Sequence, residues 1–421
     1  MSKLLDRFCR YVKVETTAVE GADTYPSSTG QLELGRMLSD ELGDLKLADV
    51  NMSEHGIVTA TIRGNVQGAP TIGWFAHMDT SPETTAGNVK PIVHENYDGK
   101  DIVLPGDASK VIRVNADHST ETHGFESAGL AGLKGKTLIT TDGTTLLGAD
   151  DKAGVAIIVT AADHLVSHPQ IRHGPIRIVF TCDEEIGHGT DKVDLEEVNA
   201  LVGYTLDGEA EGRIENETFS ADLAVVTITG RNIHPGIAKG KMINAIRLAG
   251  EFVSGMPWQR LAPEATEERE GFLHPYVLDG GVAEVKIRVL LRSFRTADLA
   301  EQADLLRSVA ATIMAEHPGA SIDIDVTKQY RNMVEVLEKE PRAVDLAAQA
   351  MRRVGIEPTF AIVRGGTDGS RLSEMGLPTP NLSAGMYNYH SPLEFACLEQ
   401  METSVKVLIE LAQLWGQQRL P

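Results

Sequence analysis

The sequence predicts an α/β protein with a mostly parallel central sheet, interrupted by a smaller inserted α+β domain. Over roughly the first two hundred residues, strand-like apolar runs alternate with segments of helical spacing. One such run, residues 176–182 (IRIVFTC), is almost wholly apolar, as in a strand buried on both faces. From about residue 215 the strands instead alternate apolar and polar residues, which is typical of an antiparallel sheet with one solvated face.

The individual elements follow from these patterns in chain order. In the first part, helical spacing predicts helices over residues 4–14, 30–42 and 152–165, and apolar runs predict strands over residues 57–63, 71–76, 137–141, 176–182 and 200–206. In the inserted part we expect strands over 219–229 and 282–291 and helices over 242–255 and 299–316. A helix over 343–354 marks the return of the α/β pattern. We therefore expect a main domain over residues 1–215 and 329–421 and an insertion over 216–328.

Charge and cysteine content exclude some classes of protein. The 421 residues include 60 acidic and 39 basic side chains, a formal net charge of −21, which disfavours nucleic acid and anionic membrane surfaces as partners. No apolar run reaches the roughly 18 residues that a membrane-spanning helix needs. Three scattered cysteines are too few for a disulfide framework, and the N-terminal segment carries charges where a signal peptide is apolar. A soluble protein in the cytoplasm is the expectation.

Histidines and carboxylates follow the predicted strands at the points where the strands end. The candidates that follow strands, in chain order, are His77, Asp79, Asp150, Glu184, Glu185 and Asp207, and His390 in the C-terminal Tyr387-Asn388-Tyr389-His390 is a further candidate. Each has an ordinary alternative: Asp150 could cap a helix, and Asp207 could belong to a turn with Gly208. Because ligands bind at the carboxyl ends of strands in an open α/β sheet, their coincidence at one edge predicts a metal site. Nitrogen and oxygen ligands without thiolate suit zinc, manganese or cobalt.

The spacing suggests a different role for each of these residues at a two-metal site. A carboxylate such as Asp150 can bridge two metal ions roughly 3.5–4 Å apart. Asp79 lies two residues after His77, so on an extended chain it faces the same way and can fix the imidazole tautomer through a hydrogen bond. Glu184 and Glu185 are neighbours whose side chains should diverge. One of them can bind metal while the other serves as a general base.

Longer motifs resemble those of the M20 metallopeptidases. They are His77-Met78-Asp79-Thr80-Ser81-Pro82, the stretch from Thr140 to Gly154 (TTDGTTLLGADDKAG), Asp183-Glu184-Glu185-Ile186-Gly187, Tyr204-Thr205-Leu206-Asp207-Gly208, Asn232-Ile233-His234-Pro235-Gly236 and Arg364-Gly365-Gly366-Thr367-Asp368-Gly369. The resemblance covers nearly the whole chain in the right order. It implies a zinc-peptidase-like catalytic domain, an inserted lid domain of the dimerisation type, and an enzyme that releases the N-terminal residue of tripeptides.

The resemblance also implies a role for each candidate. Two Zn²⁺ ions per chain are implied, the first held by His77 and Asp207, the second by Glu185 and His390, with Asp150 bridging both. Asp79 would orient His77, and Glu184 would accept the proton during hydrolysis.

Three residues are implied to contact the substrate, and each has an alternative. His234 would approach the reacting carbonyl, although before Pro235 it could simply shape a turn. Arg292 would bind the peptide, but the nearby Arg295 could do so instead. Arg364, on a glycine-rich turn, would bind a substrate carboxylate, since a planar bidentate donor fits that group, or it could pair with Asp368.

Other functions remain open at this stage. Related M20 enzymes act as dipeptidases, carboxypeptidases or N-acyl amino acid deacylases with the same metal constellation, and a non-catalytic binding protein could use the same fold. The sequence also leaves open whether the inserted domain pairs with a second copy of the chain, giving a homodimer, or acts as a free lid.

Overall fold

The structure, a computed structural model, describes residues 3–114 and 130–419. It falls into two compact units. The larger unit comprises Met1–Asn216, Glu335–Ala361 and Thr367–Pro421, and the smaller one comprises Glu217–Val334 and Ile362–Gly366. The smaller unit thus takes in residues 329–334 and 362–366, which the predicted insertion of 216–328 leaves out.

The helices and strands of the described residues follow in chain order. The helices are α1 (Lys3–Tyr11), α2 (Thr29–Asp44), α3 (Ala149–Ser167), α4 (Leu195–Val198), α5 (Ala245–Gly255), α6 (Thr296–Glu316), α7 (Val334–Leu337), α8 (Arg342–Arg353), α9 (Asp368–Glu374) and α10 (Leu398–Gly416). The strands are β1 (Ala48–Met52), β2 (Val58–Ile62), β3 (Ile72–His77), β4 (Ile92–His94), β5 (Ile102–Val103), β6 (Val111–Ile112), β7 (Leu138–Thr140), β8 (Ile176–Thr181), β9 (Val202–Glu209), β10 (Arg213–Thr218), β11 (Ser220–Thr229), β12 (Phe272–Gly280), β13 (Glu284–Ser293), β14 (Ser321–Tyr330), β15 (Thr359–Val363), β16 (Asn381–Tyr387) and β17 (Phe395–Cys397).

The larger unit is built on one mixed sheet with a parallel centre. Its strands run in the order β1-β2-β8-β3-β9-β16-β17-β7-β4, with β10 and β15 attached beside β16. Neighbours within the set β8, β3, β9 and β16 pair in parallel, and the flanking pairs are antiparallel. The predicted α/β class with a parallel central sheet is confirmed. Because the four central strands are parallel, their carboxyl ends meet at one edge.

Helix α3 is the central helix of the larger unit. It packs against β3, β9, α1 and α10, and almost all of its side chains are buried. A glycine is needed where it crosses β9, since a Cβ on Gly154 would lie 2.2 Å from the carbonyl oxygen of Leu206. The helix starts at Ala149, earlier than the predicted Lys152, although Asp150 and Asp151 keep non-helical backbone angles inside its first turn.

The smaller unit is a four-stranded antiparallel sheet with two helices on one face. Its strands run in the order β12-β13-β11-β14. Helices α5 and α6 bury one face of the sheet in a shared apolar core that includes Phe252, Ile287 and Leu306. The sequence predicted two strands here, and the structure adds β12 and β14 as the two edges.

No helix within residues 3–114 and 130–419 combines the length and apolar character that crossing a bilayer would require.

Candidate metal centre

The four parallel strands deliver most of the candidate residues to one edge of the sheet. His77 is the last residue of β3, and Asp207 lies near the end of β9. The loop after β8 carries Glu184 and Glu185, and the loop between β16 and β17 carries His390. The predicted strand 137–141 corresponds to β7, which runs in the same direction as β16 because both strands pair antiparallel with β17, so its carboxyl end faces the same edge, as predicted. The chain after β7 leads into the first turn of α3, which brings in the remaining candidate, the side chain of Asp150.

Two groups of side chains share Asp150. In the first, which we call the His77 group, His77 Nε2 lies 2.9 Å from Asp150 Oδ1 and 3.6 Å from Asp207 Oδ1. In the second, the His390 group, His390 Nε2 lies 2.8 Å from Glu185 Oε2 and 3.3 Å from Asp150 Oδ2. Asp150 therefore faces each group with a different carboxylate oxygen.

Asp79 holds the loop that follows β8. Its two carboxylate oxygens accept the backbone N–H groups of Glu184 and Glu185 at 3.1 and 3.0 Å. The same carboxylate lies 3.4 Å from His77 Nδ1, which is longer than a normal hydrogen bond. The side chains of the two glutamates diverge: Glu185 joins the His390 group, and Glu184 belongs to neither group. Asp79 is thus fully buried between His77 and the glutamate loop.

The electrostatics of the two groups show an excess of buried negative charge. Desolvation and the nearby charge of Asp150 raise the pKa of Glu185 to about 7 and raise the pKa of Asp207 well above its usual range. Burial lowers the pKa of each histidine, but hydrogen bonds with these carboxylates outweigh it. They raise the pKa of His390 to about 11 and the pKa of His77 well above its usual value. Bound cations would relieve this excess.

The donors present fit divalent metal ions. Each group offers one imidazole nitrogen and two carboxylates, and neither contains a thiolate, a set that suits zinc, manganese or cobalt. Glu185 Oε1 is buried and has no hydrogen-bond partner among the described residues, so it is an orphaned acceptor that a cation could satisfy.

Two further carboxylates support the site, and the sequence interpretation gave them no role. Asp151 is fully buried and accepts the backbone N–H groups of His77 at 3.2 Å and Gly154 at 3.1 Å. Asp183 precedes the glutamates with φ 62° and accepts the side-chain amide of Gln31 at 2.6 Å. Both stand inside the motifs quoted above, but His77 and Gln31 lie 74 and 152 positions away from them in sequence, so spacing alone does not reveal these bonds.

The three predicted substrate residues lie in the smaller unit. His234 is exposed, and its Nδ1 accepts the backbone N–H of Gly236 at 3.1 Å, so it does shape the turn that it begins. Arg292 is 9% exposed and donates to the carbonyls of Leu291 and Asp222, at 2.9 and 3.2 Å, while Arg295 is a surface residue 3.5 Å from Asp298.

Arg364 donates to the carbonyl oxygens of three residues of one loop, and its guanidinium stacks on two aromatic rings. The loop residues are Thr266, Glu268 and Glu270, and the rings are those of Phe219 and Phe272. The alternative partner, Asp368, accepts a hydrogen bond from Thr181 instead. The substrate roles of His234, Arg292 and Arg364 stay predictions.

Comparison with known proteins identifies the family. The model of peptidase family M20/M25/M40 matches residues 141–414, which include four of the five candidate ligands. The chain belongs to this peptidase family, as its motifs predicted. It is 44% identical over 412 residues to Peptidase T of Bacillus subtilis, covering 98% of each chain. It is 43% identical over 417 residues to Peptidase T of Caldanaerobacter subterraneus, covering 99% of each. A solved tripeptidase from Staphylococcus aureus shares the fold, with a TM-score of 0.76 at 24% identity over 99% of this chain and 98% of that one.

Proposed function

We infer that this chain is a metal-dependent aminopeptidase that removes the N-terminal residue of tripeptides. The observation that carries the metal dependence is the pair of ligand groups sharing Asp150. The relatives that match almost the whole chain at 43–44% identity bear the name Peptidase T, and they support the aminopeptidase activity and the tripeptide substrate.

We propose two Zn²⁺ ions per chain as the resident metals, with Mn²⁺ or Co²⁺ as substitutes. The His77 group would hold one ion and the His390 group the other, with Asp150 contributing one oxygen to each. When bound, divalent ions act as Lewis acids toward the scissile carbonyl and lower the pKa of water. The imidazole in each group supports zinc over magnesium or calcium, because those two ions are bound mainly by oxygen ligands.

Glu184 is proposed to move the proton during hydrolysis. Desolvation, together with the charges of Asp368 and Asp207, raises the pKa of its carboxyl well above the usual value, which makes the carboxylate a stronger base. Its backbone is fixed through Asp79, and its side chain is not used in either ligand group. The Glu184 carboxylate would accept a proton from the attacking water and pass it to the leaving amine.

The smaller unit is proposed to contact substrate and to mediate a homodimer. His234 offers an exposed ring whose Nδ1 is already used, which leaves Nε2 for a ligand. The outer edges of β12 and β14 pair with no strand in the described part of the chain, which supports association through an edge. We also propose a reducing, cytoplasmic setting, which the free state of Cys9, Cys182 and Cys397 supports.

A blocked-peptide panel tests the proposed function. Metal-stripped and zinc-reloaded protein would be given one tripeptide in free, N-acetylated and C-amidated forms, with the matching dipeptide, and the products identified by mass spectrometry. We expect the reloaded protein alone to release the N-terminal residue of the free tripeptide. Cleavage of only the N-acetylated peptide, release of the C-terminal residue, or cleavage of only the dipeptide would instead identify a deacylase, carboxypeptidase or dipeptidase. Turnover of no peptide by the reloaded protein would favour a binding protein.

A further inference from the structure

The carboxylate of Glu394 accepts three backbone N–H groups from the short segment that leads to the shared ligand Asp150. Its side chain belongs to a residue that is 1% exposed. Oε2 accepts the backbone N–H groups of Leu147 and Gly148, each at 2.7 Å, and Oε1 accepts the backbone N–H of Asp150 at 3.0 Å. One buried carboxylate therefore fixes the backbone that carries the shared ligand Asp150.

These bonds satisfy backbone N–H groups at the point where α3 begins. Gly148, which precedes the helix, has φ 81° and no side chain to accept them, and Asp151, inside the first turn, binds the backbone N–H of Gly154 instead. An anion beside a helix N-terminus is favourable because it meets both the unpaired donors and the positive end of the dipole. Glu394 provides that anion from a residue 244 positions away in sequence, so it also ties two distant segments together.

The second segment carries His390. The loop from Asn388 to Glu394 is closed by its own hydrogen bonds: Asn388 Nδ2 donates to the carbonyl of Leu393 at 3.2 Å, and the backbone N–H of Glu394 donates to the carbonyl of Ser391 at 3.1 Å. His390 sits in this loop with φ 62°. Because the loop is internally braced, fixing its last residue, Glu394, also limits where His390 can lie.

We propose that Glu394 is a positioning residue that holds Asp150 and His390 at the separation which the second metal ion requires. The inference rests on the proposed two-metal function. Residues outside the ligand set that orient metal ligands commonly account for 10- to 100-fold of metal affinity. A residue that only capped α3 would change stability and leave the affinity of the folded protein for metal unchanged.

The test measures the stepwise binding of Zn²⁺ by calorimetry in metal-stripped wild-type protein and in the metal-stripped Glu394→Gln variant. Glutamine keeps the size but puts an NH₂ group against at least one of three backbone donors, so the 147–150 backbone must shift. We expect one of the two binding steps to weaken by about tenfold or more. Co²⁺ absorption spectra of the same proteins should show altered coordination of the metal ion that binds in the weakened step.

Glu399→Gln is the matched control. Glu399 also accepts a backbone N–H through its carboxylate, that of Thr137 at 3.0 and 2.9 Å, but the ligand groups do not include it or its partner. This variant should bind both equivalents as the wild type does. Glu394→Asp, which keeps the charge with a shorter reach, serves if the glutamine variant does not fold, and it should also weaken one step.

The outcomes separate the two proposals. If the folded Glu394 variant binds two Zn²⁺ ions with wild-type affinities and only its thermal stability falls, Glu394 is a helix cap and the positioning role is refuted. If the wild-type chain itself binds fewer than two equivalents, the proposed two-metal centre fails, and the inference fails with it.

Discussion

Replacing Glu184 with glutamine tests the proton-transfer role with the least disturbance to the site. Glutamine has nearly the same shape but cannot accept a proton at neutral pH. The Glu184 backbone N–H donates to Asp79 at 3.1 Å, and a side-chain substitution leaves this bond in place. The side chain belongs to neither ligand group, so both groups should keep their geometry. The variant should therefore bind metal and peptide but turn over slowly.

The size of the expected rate loss follows from the proposed role of Glu184 as a general base. A positioned general acid or base typically contributes 10²- to 10⁴-fold to a rate. At about 1.36 kcal/mol per factor of ten, the loss corresponds to roughly 3–5 kcal/mol of transition-state stabilisation. Because the lost interaction is made only in the transition state, kcat should decrease while KM stays close to the wild-type value.

The assay measures kcat and KM on a free tripeptide together with zinc content for three variants. Glu185→Gln removes a ligand 2.8 Å from His390 and should lose metal as well as activity. Glu196→Gln, on the exposed surface of α4, should behave as the wild type. A Glu184→Gln protein with full zinc content and near-wild-type kcat would refute the reasoning, as would one that loses its metal.

Two further predictions concern protons and the N-terminal helix. In the metal-free protein the raised pKa values of His77 and His390 keep both rings protonated at pH 7, so reloading zinc should release about two protons or more, measured with a pH indicator. Arg7 is buried between Glu41 and Asp163, at 2.7 and 2.8 Å, so Arg7→Met should lower the free energy of unfolding by about 3–5 kcal/mol in denaturant titrations.

Both predictions, on proton release and on Arg7, can be contradicted by experiment. Zinc binding without proton release at pH 7 would contradict the protonation assigned to the metal-free histidines. Burial raises the pKa of Glu41, but hydrogen bonds from Arg7 and Tyr11 outweigh it and hold the pKa below its ordinary 4.5. Wild-type stability should therefore fall as the pH drops below about 4.5, and Arg7→Met should flatten this dependence. Arg10→Met, an exposed partner of the same glutamate, should cost less than about 1 kcal/mol; equal losses would refute the account of Arg7.

Much of the fold and part of the site follow from local patterns. Strands β3, β8 and β9 are buried on both faces, so their apolar runs are visible in the sequence, and the residues at their ends could be placed at one edge. Strand β16 is just as buried, but its run of small and polar residues, NLSAGMY, gives no comparable signal. His390 was therefore a candidate with no predicted strand before it, and only the motif resemblance implied its role as a ligand.

The missed elements have physical explanations. Strand β12 contains Pro275 and ends at Gly280, residues that argue against a strand, although at a sheet edge both are tolerated. Strand β14 alternates isoleucine with aspartate from Ser321, which is the pattern of a strand with one solvated face. The supporting role of Glu394 depends on bonds to main-chain N–H groups more than 240 residues away, which no local spacing encodes.

The central claim is that Asp150 joins two metal ions in one site. Anomalous diffraction at the zinc edge from crystals of zinc-loaded protein tests it most directly. Two peaks roughly 3.5–4 Å apart are expected. One should contact His77 and Asp207, the other Glu185 and His390, with one oxygen of Asp150 on each. A single peak, or two peaks of which Asp150 contacts only one, would contradict the account.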